Sequence, residues 1–202
     1  MASKRKDLEP TGFPHNLNWK QPEAKRSLQR LHSYVTSECK NAIEWYQERK
    51  NKKKFAAYYC RVGAILTGMS AGVIPVLGPI FDSWGLIELD STWATVAIAV
   101  AATLILIDKF GGFSIGWIRY VQSSQELVRY LAIFQGEWEL KQLEMQHRMA
   151  ETGELRQSIE LCRSFLLQVY SVVEKETDQW AQEFRRMLNE MNEETKDSKG
   201  PN

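Results

Sequence analysis

The chain has 202 residues, and 26 Lys and Arg against 25 Asp and Glu leave a formal net charge of +1; this length allows one or two small domains. Cys39, Cys60 and Cys162 are isolated, odd in number and without CxxC spacing, which argues against a disulfide framework and a cysteine zinc site. The near-neutral total and the negative mean hydropathy hide a segregation, an almost uncharged middle between two densely charged flanks.

Residues 1–21 carry Pro10, Gly12 and Pro14 with scattered charges and no period, and they read as a flexible arm. The basic residues of MASKRKDLEP have no apolar run behind them, so no cleavable signal peptide is expected. Pro22 suits the first turn of a helix. After it, Leu28, Leu31, Val35, Cys39, Ala42 and Tyr46 recur at spacings of three and four, which predicts an amphipathic cytosolic helix over 22–57. No proline or glycine interrupts residues 23–61, so this helix is expected to run on into the next segment. Arg49, Lys50, Lys52, Lys53 and Lys54 are not interleaved with base-stacking aromatics, and no nucleic-acid partner is expected. Beside an apolar segment they read as a topogenic patch that attracts anionic lipid.

Residues 58–119 form the centre of the reading. Residues 62–81 and 91–107 contain no charged side chain. A helix needs about 20 mostly apolar residues to cross ~30 Å of hydrocarbon, so the two runs predict a transmembrane helical hairpin. A soluble core helix keeps a polar stripe, whereas 62–81 offers only Thr67 and Ser70. Basic residues flank both runs, with Arg61 before the first and Lys109 and Arg119 after the second. The linker between them carries Asp82, Glu88 and Asp90 and no Lys or Arg. That asymmetry predicts a multi-pass protein of the cell membrane with both termini cytoplasmic. Trp84, Trp93 and Trp117 near the ends fit an interfacial aromatic belt.

Inside the first span, small residues recur every fourth position, Gly63, Thr67 and Ala71 on one row and Ala64, Gly68 and Gly72 on the next. Together with Ala97 and Ala101 they are the candidate packing positions, since small residues let helix backbones approach closely in lipid. Pro75 and Pro79 are expected to kink or unwind the outer end. Thr67, Ser70, Thr95 and Thr103 are candidate pore-lining positions, although such hydroxyls commonly bond back to their own helix. Arg61, Asp108 and Lys109 are candidate gate or interface charges. Ending the second span at Ile107 keeps Asp108 and Lys109 out of the bilayer centre, where a charge costs ~2.5–3.5 kcal/mol. In an antiparallel hairpin Asp108 comes near the depth of Arg61, so the two are expected to pair.

Residues 120–191 read as a cytosolic helical pair. Leu127, Leu131, Phe134, Trp138 and Met145 make the first stripe, interrupted at Thr152 and Gly153. Leu155, Ile159, Cys162, Leu166, Val169, Val173, Trp180 and Met187 make the second, broken by Glu176 and Glu183. Such seams pack against other helices within a chain or between copies. Residues 192–202 read as a disordered tail. No phosphate-binding glycine loop, no His pair at metal spacing and no nucleophile setting occurs; His15, His32 and His147 lie far apart. No catalytic residue, cofactor or metal is expected. The fold class expected is an all-α membrane protein, a two-span hairpin with long cytosolic helices on both sides.

The order of Trp45-Tyr46, the Lys-rich link, the small-residue span ending Gly72-Val-Ile-Pro75, the short outer loop and the second span with its helical pair resembles the SLATT-domain family over about residues 22–192. The resemblance implies an effector of a prokaryotic conflict system that breaches the membrane after a nucleotide or other danger signal. Unlike multi-domain members the chain shows no appended sensor, so the trigger is expected to reach it through its helical arms or through a partner protein that senses or signals, and a homo-oligomer is expected. A membrane-anchored helical scaffold that recruits a soluble partner is the rival reading.

Overall fold

The computed structural model describes residue 8 and residues 11–20, 22–83, 90, 92–145 and 152–197. Among the described residues there are four helices and no strand: α1 (Ala24–Ser83), α2 (Thr92–Gly111), α3 (Phe113–Met145) and α4 (Thr152–Asp197). The fold is all-α, with two helices long and apolar enough to cross a membrane. The chain divides into a bundle unit, Met1–Glu48 with Arg119–Asn202, and a hairpin unit, Arg49–Ile118.

Local chemistry explains the helix ends. Asn18 Oδ1 accepts the Lys20 N–H at 3.0 Å and its Nδ2 donates to Glu23 Oε2 at 2.6 Å, the side-chain turn that asparagine favours. The Lys20 carbonyl then accepts from the N–H groups of Glu23 and Ala24, opening α1. Asp90 caps α2, its Oδ1 accepting both the Thr92 N–H and the Thr92 hydroxyl at 3.0 Å. Pro75 and Pro79 do not unwind α1, which stays helical through both; membrane helices tolerate proline where neighbouring groups re-satisfy the freed carbonyls. Thr152 and Gly153, read as an interruption, are the first residues of α4. The same helix runs through Asn192 to Asp197, so that part of the expected disordered tail is helical; no glycine or proline occurs between Gly153 and Gly200. Trp84, Glu88, His147 and residues 198–202 lie outside the described residues.

The bundle packs the first half of α1 with α3 and α4. Leu28, Leu31, Val35, Cys39, Ala42 and Tyr46 are all buried, as are Leu127, Phe134, Trp138 and Met145 of α3 and Leu155, Cys162 and Val169 of α4. Phe134 stacks on Phe165 at 4.1 Å between ring centroids. Lys141 reaches Gln157 and Arg119 reaches Glu176, so α3 runs antiparallel to α4. Trp180, expected on the seam, is instead 51% exposed and stacks on Phe184.

The two glutamates that break the α4 stripe have a common partner. Arg119 is 6% exposed, its Nε 3.5 Å from Glu176 Oε1, and its guanidinium also pairs with Glu183. Two carboxylates thus balance one buried cation, the condition for burying a charge without a large penalty. Tyr46 lies buried near this cluster. Burial, and then the negative charge of Glu176, raise its hydroxyl pKa.

The N-terminal arm departs from expectation. Its described residues pack on the bundle: Phe13 meets Tyr34 edge-on at 5.5 Å and Leu8 packs against the core. Thr11 donates its N–H at 2.8 Å, and its hydroxyl, to Oε1 of the buried Glu38. Asn18 and Ser27 exchange two hydrogen bonds across nine residues of sequence. These contacts join distant positions, so no local period announces them.

Candidate membrane-spanning site

In the hairpin unit, the positions that α1 turns inward include Ala57, Cys60, Ala64, Thr67, Ala71, Ile74 and Gly78, all buried or half-buried. Their spacing alternates three and four, and Ala57, Ala64, Ala71 and Gly78 repeat every seven residues. On α2 the half-buried positions are Ala94, Ala97, Ala101, Leu104 and Asp108, with the same alternation. Two seven-residue seams of small side chains let the helix backbones come close, as membrane helices do. A methyl group at Gly63 would meet Leu104 Cδ1 at 3.0 Å.

The large apolar residues point the other way. Ile65, Leu66, Met69, Val73 and Val76 of α1 are exposed, as are Val96, Ile98, Val100, Ile105 and Leu106 of α2. No residue of α2 is buried. A soluble domain hides its large side chains and rarely exposes an apolar patch of more than a few hundred Å². With small residues inside and large ones outside, this unit is suited to hydrocarbon. The chain is a membrane protein with two candidate spans.

Of the candidate packing positions, Gly63, Ala97 and Ala101 lie on the seam side. Gly68 and Gly72 face outward, with nothing within 4 Å of the position a Cβ would take. Thr67 donates its hydroxyl to the Gly63 carbonyl at 2.8 Å, Ser70 to Leu66 at 2.8 Å and Thr103 to Ala99 at 2.8 Å. These hydroxyls complete their own helix. Thr67 is half-buried on the seam, while Ser70, Thr95 and Thr103 are exposed.

The candidate charges meet where α2 ends. Arg61 Nε lies 3.4 Å from Asp108 Oδ2. The same carboxylate accepts the Ser114 hydroxyl at 2.6 Å and the Ser114 N–H at 3.2 Å, capping α3. Between the helices Gly112 adopts φ +55°, a left-handed conformation that glycine enters without a Cβ penalty. A Cβ at Gly111 would strike the Phe113 ring at 2.5 Å. Asp108 therefore ties three points, α1, the end of α2 and the start of α3. Lys109 sits in the last turn of α2, where a cation favours the helix dipole. Lys53 lays its side chain over Gly116, where a Cβ would come within 2.7 Å of Nζ.

The sequence reading missed the seven-residue Ala57–Ala64–Ala71–Gly78 repeat and the Ser114 cap. The repeat is visible in the sequence, but adjacent rows of small residues compete with it. The Ser114 cap depends on a turn that only Gly111-Gly112 hinted at. Residues 7–201 match the protein family described as "SMODS and SLOG-associating 2TM effector domain 2". That family is a two-span effector domain of conflict systems. No curated protein and no solved structure matches the chain.

Proposed function

The chain belongs to the SMODS- and SLOG-associating two-span effector family, and from that premise we propose that it is an oligomeric effector that permeabilises the membrane in a prokaryotic defence system. Its termini are cytoplasmic, held there by the basic cluster at 49–54 opposite the acidic linker. The trigger reaches it through the bundle, by way of a partner protein that carries the SMODS or SLOG function named in the family description. Activation is a population shift, in which the trigger binds better to an open packing of hairpins than to a closed one.

The observation that carries this reading is the inverted packing of the hairpin unit. Its seam is filled by small side chains, with Leu104 against Gly63, so a single hairpin has no room for a path. Any path forms between copies, and the outward Gly68 and Gly72 supply a close-packing face for a neighbour. Ser70, Thr95 and Thr103 are the exposed hydroxyl positions that line it, and the Arg61–Asp108 pair with Lys109 is the gate at its end. Induced expression with the trigger present is expected to collapse membrane potential, and the double variant Thr95→Leu, Thr103→Leu to abolish the collapse. Normal potential under those conditions contradicts the proposal.

The exposed Trp180–Phe184 stack on α4 favours the second reading, a membrane-anchored scaffold that recruits a soluble partner. Replacing 58–118 with an unrelated two-span anchor, which leaves Arg119 in the bundle, separates the two. A scaffold keeps its activity after the exchange and a permeabilising effector loses it.

A further inference from the structure

A cavity of about 260 Å³ opens in the bundle unit where the N-terminal arm crosses α1 and α4, lined by Leu8, Glu38, Ala42, Val169, Tyr170 and Val173. Its walls are mostly apolar, and two polar groups enter them. Tyr170 lies beside the Tyr34 hydroxyl. Glu38 is only 7% exposed, and its Oε1 takes both donors of Thr11. Among the described residues no Lys, Arg or His pairs with this carboxylate, and no donor meets Oε2. A buried carboxylate ordinarily has a cationic partner; here Thr11 satisfies Oε1, while Oε2 is not sealed off and is open to one. Elsewhere in the same bundle the rule is kept, with Arg119 between Glu176 and Glu183.

We infer that this cavity is a binding site for a small organic cation, an ammonium group carried on a short alkyl chain, with Glu38 as the counter-ion. The volume of about 260 Å³ sits just below the ~300–1,000 Å³ range of drug-sized pockets, and a short-chain amine fits inside it. The alkyl chain lies against Ala42, Val169 and Val173, and the ammonium donates to Oε2 in a charge-assisted hydrogen bond. The Tyr34 hydroxyl, beside Tyr170, has a pKa raised to about 12, first by burial; it stays protonated as a neutral neighbour. Leu8 and Thr11 belong to the arm, so the occupant also bears on whether the arm stays docked. The same chemistry is offered by a free alkylamine and by a lysine side chain of a partner polypeptide.

The test is thermal unfolding of the detergent-solubilised full chain with pentylammonium chloride, pentan-1-ol and Nα-acetyl-lysine methylamide. An amine that binds the folded state raises Tm with concentration. Both amines are expected to raise it and pentanol is not. Glu38→Gln, whose amide oxygen still accepts from Thr11, is expected to weaken the response about tenfold or more. Val173→Phe, which fills the cavity and leaves the carboxylate intact, is expected to weaken it as well. The stronger response of the two amines assigns the source, free amine or lysine side chain. No shift with either amine, an equal shift with pentanol, or an undiminished shift in both variants overturns the inference.

Discussion

Tyr46, Phe134 and Trp138 lie at the centre of the bundle, whereas Ala64, Ala71 and Ala101 line the seam of the hairpin and Ile65, Met69 and Ile105 lie on its outside. Both units are helical and both use three-four spacing, so secondary structure does not separate them. What separates them is which side of each helix carries the large side chains. In the bundle, water drives Phe134 and Phe165 together, at roughly 25 cal/mol for each Å² of apolar surface removed from it. In the hairpin that drive is absent, since lipid is as apolar as leucine, and close backbone approach takes its place. The same alphabet thus encodes two solvents.

The comparison is broken first by cavity formation in the bundle. Phe134→Ala removes a ring 2% exposed and is expected to cost ~3–5 kcal/mol in chemical denaturation. Ile105→Ala, at a residue 60% exposed, is expected to leave bundle stability in detergent within ~0.5 kcal/mol. Equal losses at the two sites would make the hairpin an ordinary core. A charge placed on the hairpin's outer face is the converse test. Val100→Arg is expected to cost ~2.5–3.5 kcal/mol of insertion free energy, read as loss from the membrane fraction, and Gln122→Arg on the exposed face of α3 is expected to cost none.

The seam gives the next smaller effect. Ala101→Leu overpacks the close approach and is expected to destabilise the hairpin by ~1–3 kcal/mol. Gly68→Leu faces outward and is expected to leave a single hairpin unchanged, while weakening self-association if copies meet there, as cross-linking yields would show. The smallest effect is electrostatic. Burial lowers the pKa of His32 from 6.5, where its ring stacks at 4.1 Å on Trp138. The unfolded chain then binds more protons than the folded one below about pH 6.5, so the bundle loses stability as pH falls through that window. His32→Leu is expected to flatten this part of the pH profile.

Much of the bundle was legible because water imposes a period. Leu28, Leu31, Val35, Cys39, Ala42 and Tyr46 declare one buried stripe, and all six are buried. The spans were legible from their length and lack of charge, and antiparallel depth alone brought Arg61 to Asp108. The seam was not. A segment apolar on every side has no polar face to mark the inner one, so Gly68-Gly72 read as a packing motif although Ala64 and Ala71 face inward. Glu176 and Glu183 were visible as gaps in a stripe, but their shared Arg119 was read as a topogenic charge. The arm's anchor to Glu38 spans 27 residues, beyond the reach of any local pattern.

Whether residues 62–81 and 91–107 sit in hydrocarbon is settled most directly by fractionating cells that express the chain without detergent. The account predicts that the protein stays with the bilayer through an alkaline carbonate wash and leaves it only when detergent is added. A monodisperse, helical protein in the detergent-free supernatant would contradict it.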